Sequence, residues 1–73
     1  MNYKVIFSLK KIRVGKDLTQ PQLAKISKVS QSEISDIENF RKSPRLDTIV
    51  KLANALQVHP FELQEVVEKW YVM

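Results

Sequence analysis

Gln31, Ser32, Ser35 and Asp36 are four polar residues within a stretch of six. Ile34 lies among them and Ile37 directly follows. In a helix the two isoleucines fall on one side, at i and i+3. The four polar groups then stand together off that stripe. Gln presents a donor and an acceptor at once, which matches adenine; Ser is less discriminating. Asp36 either accepts from a cytosine amino group or faces solvent. Glu33 has the same two options, beside a role in capping. The chemistry on offer is hydrogen bonding to base edges in a major groove, not bond making. The rest of the chain adds no reactive set. It has one His, no Cys, no nucleophile–base pair and no Gly-rich phosphate cradle. A lone His59 without further ligands is a structural residue, so no metal, no cofactor and no enzyme activity is expected.

Two elements must position those polar groups, and both are announced between Thr19 and Asn39. Thr19 with Gln22, and Ser30 with Glu33, each have the spacing of a capping box. In such a box the hydroxyl accepts from a first-turn N–H, and the later side chain accepts from the cap residue's N–H. Pro21 sits in a first turn, where its missing N–H costs nothing. The spacing predicts helices over Gln20 to about Ser27 and about 31–38, joined by roughly three residues. Leu23, Ala24 and Ile26 supply the apolar side of the first. Val29 lies in the turn, where it can plug the angle between the two. Two short helices, a tight turn and a buried plug describe a helix-turn-helix at 20–39.

Past Asn39, the run Phe40-Arg41-Lys42-Ser43-Pro44-Arg45 is a loop by composition. Its cations are either a solvated surface or phosphate contacts. The neighbouring groove-reading helix favours phosphate. Leu46, Ile49, Val50, Leu52, Ala53 and Leu56 recur at three and four residues, predicting an amphipathic helix from about Leu46 to Gln57. His59 and Pro60 then open another helix, with Glu62 in its first turn. Upstream, Tyr3, Val5 and Phe7 alternate with Lys4, Ile6 and Ser8 as in a strand. A helix capped by Ser8 and running to about Lys16 follows, with Leu9 and Ile12 inward and Lys10 and Lys11 in solvent. The other option starts that helix nearer Asn2. The apolar tail, with Val66, Val67, Trp70 and Tyr71, either extends the last helix or pairs as a strand with Tyr3–Phe7. It serves as a dimer interface, as packing for the N-terminal segment, or simply completes the monomer's core.

At 73 residues the chain is one small domain, and without Cys it has no disulfide or thiolate metal to help it fold. Helix packing or a second copy must supply that help. No apolar run spans a bilayer and the start does not read as a signal peptide, so the expectation is a cytoplasmic protein with no membrane contact. The net charge of +4 is uneven: residues 1–45 carry +6 and residues 46–73 carry −2. The positive part holds the helix-turn-helix, as an electrostatic footprint on phosphates requires.

On Leu9, Ile12, Leu18-Thr19-Gln20, Leu23-Ala24, Val29-Ser30, Ile34-Ser35 and Ile37-Glu38-Asn39, continuing to Leu63, the chain resembles the Cro/repressor-type (Xre-like) helix-turn-helix domains. The likeness covers about 8–63, leaving 64–73 as an extension and possible dimer interface. It implies an all-α, compact five-helix lambda-repressor-like domain, possibly with a small strand pair from the two ends. It implies double-stranded DNA as partner, a homodimer, and transcriptional regulation, with repression favoured. By the same likeness Gln20 touches the DNA backbone and braces the reading helix. Asn39, Arg41 and Lys42 hold phosphates, and Arg13 pairs with Glu38 to clamp the first helix to the third. The family often has Gly where this chain has Asp17, Lys28 and Phe40, positions that call for a left-handed backbone. Lys and Phe suit that poorly, so the connections are expected to differ locally. Gly15 is expected to shift the end of the first helix. The other functional class is an antitoxin-like module that binds a partner protein and regulates its own operon, which the apolar tail favours.

Overall fold

The computed structural model describes residues 2–69. Strand β1 (Asn2–Phe7) leads into α1 (Leu9–Gly15), α2 (Gln20–Ser27), α3 (Gln31–Glu38) and α4 (Leu46–Leu56). A four-residue 3-10 turn, Pro60–Leu63, and strand β2 (Gln64–Lys69) follow. β1 and β2 form an antiparallel two-stranded sheet, from Asn2 opposite Lys69 to Phe7 opposite Gln64. The strand alternation at Tyr3–Phe7 is therefore real, and residues 64–69 pair with it rather than extending a helix.

Four α-helices stand where five were expected. The segment opened by Pro60 does start with a cap. His59 Nδ1 accepts from the Phe61 N–H at 3.1 Å, and Glu62 Oε2 accepts from the His59 N–H at 2.6 Å. The turn stops at Leu63 because Gln64 is already extended, at φ −122° and ψ 138°. The β-branched Val66–Val67 pair favours a strand, and β1 supplies its ladder. The Ser8 N–H donates to the Leu63 carbonyl at 2.9 Å, fastening the two ends of the sheet to the body. Ser8 holds the position before α1, but its hydroxyl makes no capping bond.

Leu9, Leu23, Ile34, Ile37, Leu52 and Leu56 are fully buried and form the centre of the core. Val29 is buried beside them, plugging the turn between α2 and α3. α2 packs on both α3 and α4, and α1 on α3. Three residues expected inside are not: Ile26, Val50 and, at 73 % exposure, Leu46. Leu46 begins α4, and a first-turn side chain has no preceding helical turn to carry it over the core. Buried Thr48 takes part in the packing there.

Four helix ends pass through the left-handed region on residues other than Gly: Asp17 (φ 59°), Lys28 (φ 65°), Phe40 (φ 59°) and Gln57 (φ 58°). The expected local departure does not occur at Asp17, Lys28 or Phe40; all three adopt the conformation Gly would favour. At Asp17, Phe40 and Gln57 the terminating bonds explain why, while α2 ends at Lys28 with an N–H to the Ala24 carbonyl at 2.9 Å. Leu18 N–H reaches the Arg13 carbonyl at 3.2 Å, Arg41 reaches Asp36 at 2.8 Å, and Val58 reaches Ala53 at 3.0 Å. Each is the six-to-one bond of a Schellman ending, which needs a left-handed residue just before its donor. Gln57 was not among the expected positions. Gly15 is the last residue of α1 at an ordinary negative φ, so its conformational freedom is unused.

Candidate nucleic-acid interface

The candidate reading helix, α3, is fixed from behind. Ile34 and Ile37 are buried in the core, and Glu38 at its C-terminal end is buried with Arg13 of α1. Arg13 Nε donates to Glu38 Oε2 at 2.6 Å, and Nη2 donates to Oε1 at 3.0 Å. The remaining guanidinium nitrogen, Nη1, donates to the Leu18 carbonyl at 2.7 Å. Gln20 Nε2 donates to Glu38 Oε1 at 2.9 Å. One carboxylate thus gathers α1, the start of α2 and the end of α3. Burial pushes the Glu38 carboxyl up. Hydrogen bonds from Arg13 and Gln20, with the charges of Arg13 and Lys10, outweigh that and hold it below the usual carboxylate range. The bond to Glu38 raises Arg13.

The front of α3 is open. Gln31 and Ser32 are exposed at its N-terminal end, and Ser35 and Asp36 are half-buried one turn later. The start of α2 has the full capping box: the Thr19 hydroxyl accepts from the Gln22 N–H at 3.2 Å, and Gln22 Oε1 accepts from the Thr19 N–H at 2.8 Å. The start of α3 has only half of one. The Ser30 hydroxyl accepts from the Glu33 N–H at 3.1 Å, while the Glu33 carboxylate turns to Lys42 Nζ, 3.6 Å away. Asp36 Oδ1 lies 3.9 Å from Arg41 Nη1. The two outward acids of this helix, Glu33 and Asp36, therefore each have a cation of the following loop beside them, which tempers their repulsion of phosphate.

The candidate backbone-holding residues differ in how free they are. Arg41 and Lys42 are exposed at the rim. Gln20 spends an amide hydrogen on Glu38, so its bracing contact is internal. Asn39 turns back on its own helix, its amide donating to the Ser35 carbonyl at 2.8 Å and lying 3.3 Å from the Ser35 hydroxyl. The Ser27 hydroxyl, buried at the end of α2, accepts from the Val29 N–H at 3.1 Å and ties the turn to that helix. Sequence reasoning missed Ser27; a Ser two residues before the plug was its only signal. Of the tail candidates, Val66 is exposed. The Val67 side chain, Trp70 and Tyr71 lie outside the described residues. Among the described residues no cluster could hold a metal ion, and no helix is long and apolar enough to cross a membrane.

An open polar helix edge, braced from behind and bordered by loop cations, defines the class: a helix-turn-helix domain of the kind found in DNA-binding regulators. The helix-turn-helix family model matches residues 9–63, and the chain belongs to that Xre-like family. It is 42 % identical over 50 residues to the immunity repressor protein of Bacillus phage phi105, a match covering 68 % of this chain and 35 % of that one. The chain thus spans about a third of that relative's length. It is also similar to the crystal structure of the restriction-modification controller protein C.AhdI from Aeromonas hydrophila. That match has a TM-score of 0.73 at 36 % identity, over 75 % of this chain and 83 % of that one.

Proposed function

We infer that the chain is a sequence-specific, double-stranded DNA-binding transcriptional regulator, acting as a repressor and as a homodimer in the cytoplasm. It is a binding module and not an enzyme. The observation that carries this reading is the exposure of Gln31 and Ser32 on an α3 whose opposite side is buried. That helix can enter a major groove without disturbing the core, with its N-terminal residues at the base edges. Arg41 and Lys42 hold phosphates beside it, and two copies set their α3 helices in successive grooves, roughly 34 Å apart. Family membership and the similarity to a phage repressor and a controller protein support the reading. The experiment is selection of bound duplexes from a random pool, followed by titration of the selected site. Gln31→Ala is expected to weaken binding to that site by about 1–3 kcal/mol. Arg41→Ala and Lys42→Ala are each expected to flatten the salt dependence by about one counterion. Binding indifferent to salt, or no selected sequence at all, overturns the reading.

A further inference from the structure

Phe40 combines two unfavourable features that a Gly would avoid. Its backbone is left-handed at φ 59°, and its ring is 69 % exposed. The Schellman ending accounts for the backbone but not for an exposed aromatic ring, which offers apolar surface to a partner. The ring borders two clefts that meet along β1. Lys4, Val5, Ile6 and Phe7 line one of them with Phe40 and Lys42. Consecutive strand residues point to opposite faces, so a wall made of all four is the strand's edge. No described β2 residue lines that cleft, which makes it the edge away from β2. Among the described residues that edge has no strand partner. The second cleft, about 780 Å³, has Ile6, Phe7, Val14 and Phe40 as apolar walls and Lys10 and Lys11 at its rim. Its acids are Glu38, already held by Arg13, and Glu65.

We propose that the outer edge of β1, with the clefts on either side of Phe40, binds an extended acidic segment of a partner protein as a third strand. Main-chain bonds to an open edge supply affinity, and alternate side chains seated on either face supply selectivity. The three lysines Lys4, Lys10 and Lys11 complement Asp or Glu on that segment. A second copy fits less well. Its β1 brings another Lys4 into a lysine-lined cleft, and its β2 would pair head to tail, an arrangement that leaves a free edge and does not close. DNA phosphates would satisfy the lysines and leave Phe40, Val14 and Ile6 unused. The proposal stands apart from the DNA reading and fails or survives separately from it.

The test pans short random peptides displayed on phage over the immobilised full chain, then measures the selected peptides by calorimetry. Sequences alternating Asp or Glu with apolar residues are expected. Phe40→Gly relieves strain and keeps the fold, which a thermal melt checks. It is expected to weaken the selected peptides by about tenfold or more while leaving DNA affinity unchanged. Lys10→Glu with Lys11→Glu is expected to weaken the selected peptides to a similar extent. Selection of basic peptides, of peptides with helical periodicity, or of none overturns the proposal, as does equal affinity in Phe40→Gly. Sedimentation showing self-association that Phe40→Gly abolishes would assign the edge to a second copy instead. A loss of DNA binding in Phe40→Gly would assign it to nucleic acid.

Discussion

Replacing Arg13 by Ala removes two hydrogen bonds to Glu38 and one to the Leu18 carbonyl. The Glu38 side chain, 3 % exposed, is left with Gln20 as its hydrogen-bond donor. Orphaning a buried charge in this way costs about 3–5 kcal/mol. A domain of this length has roughly 4–11 kcal/mol in total. The variant should therefore lose about half its stability or fail to fold. In urea, with a slope of about 1 kcal/mol per M, the midpoint should fall by roughly 3 M or more.

The decisive companion is the double variant Arg13→Met with Glu38→Leu. It removes both charges together and fills the space with apolar side chains. If the damage in Arg13→Ala is the abandoned carboxylate, the double variant recovers at least half of the loss, although a pair has been deleted. A midpoint for Arg13→Ala within about 0.5 M of the parent would refute the clamp itself. A double variant no better than Arg13→Ala would refute its desolvation logic.

Glu38 also sets an acid limit. Its folded carboxyl lies below the ordinary value, so its contribution is complete above about pH 4.3 and is lost as pH falls through the folded value. The urea midpoint should hold from about pH 7 to about pH 5, then drop, and Glu38→Gln should flatten that drop. Lys28→Gly should stabilise by about 0.5–1 kcal/mol, because Gly adopts φ 65° without the Cβ penalty; thermal melts read it directly. Gly15→Ala should stabilise by about 0.5 kcal/mol, since it ends a helix at negative φ and an added Cβ would meet nothing within 4 Å.

The elements around the candidate site were legible because their cues are local. Thr19 and Gln22 predict the start of α2, and they make both bonds of the box. Ser30 with Glu33 is the same pattern, but Lys42 lies nine residues further on and draws the carboxylate away. That competition comes from the fold and has no trace in the short motif. The helix count failed for a related reason. Pro60 with a capped start predicts a helix, and the continuation is decided by β1, more than fifty residues earlier, which offers Gln64–Lys69 a ladder. Leu46 matches the apolar period of α4 and is still exposed. Periodicity gives the side of a helix and not what lies opposite each turn.

α3 has eight residues, too few to hold a helix alone in water. Its shape is therefore borrowed from Ile34, Ile37 and the Glu38 clamp, while its exposed side is spared any part in folding. Substitutions should separate accordingly: those at 34, 37 and 38 act on stability, and those at 31 and 32 act on binding. Glu33 and Asp36 stand between the two groups. Each is paired at the surface with a cation of the loop, at 3.6 Å for Lys42 and 3.9 Å for Arg41. Pairs this exposed are worth about 1 kcal/mol or less, so a phosphate can take over either cation at little cost. On the proposed DNA reading, Glu33→Gln with Asp36→Asn should therefore leave stability within about 1 kcal/mol and strengthen DNA binding, and weaker binding would refute the repulsion assigned to these acids.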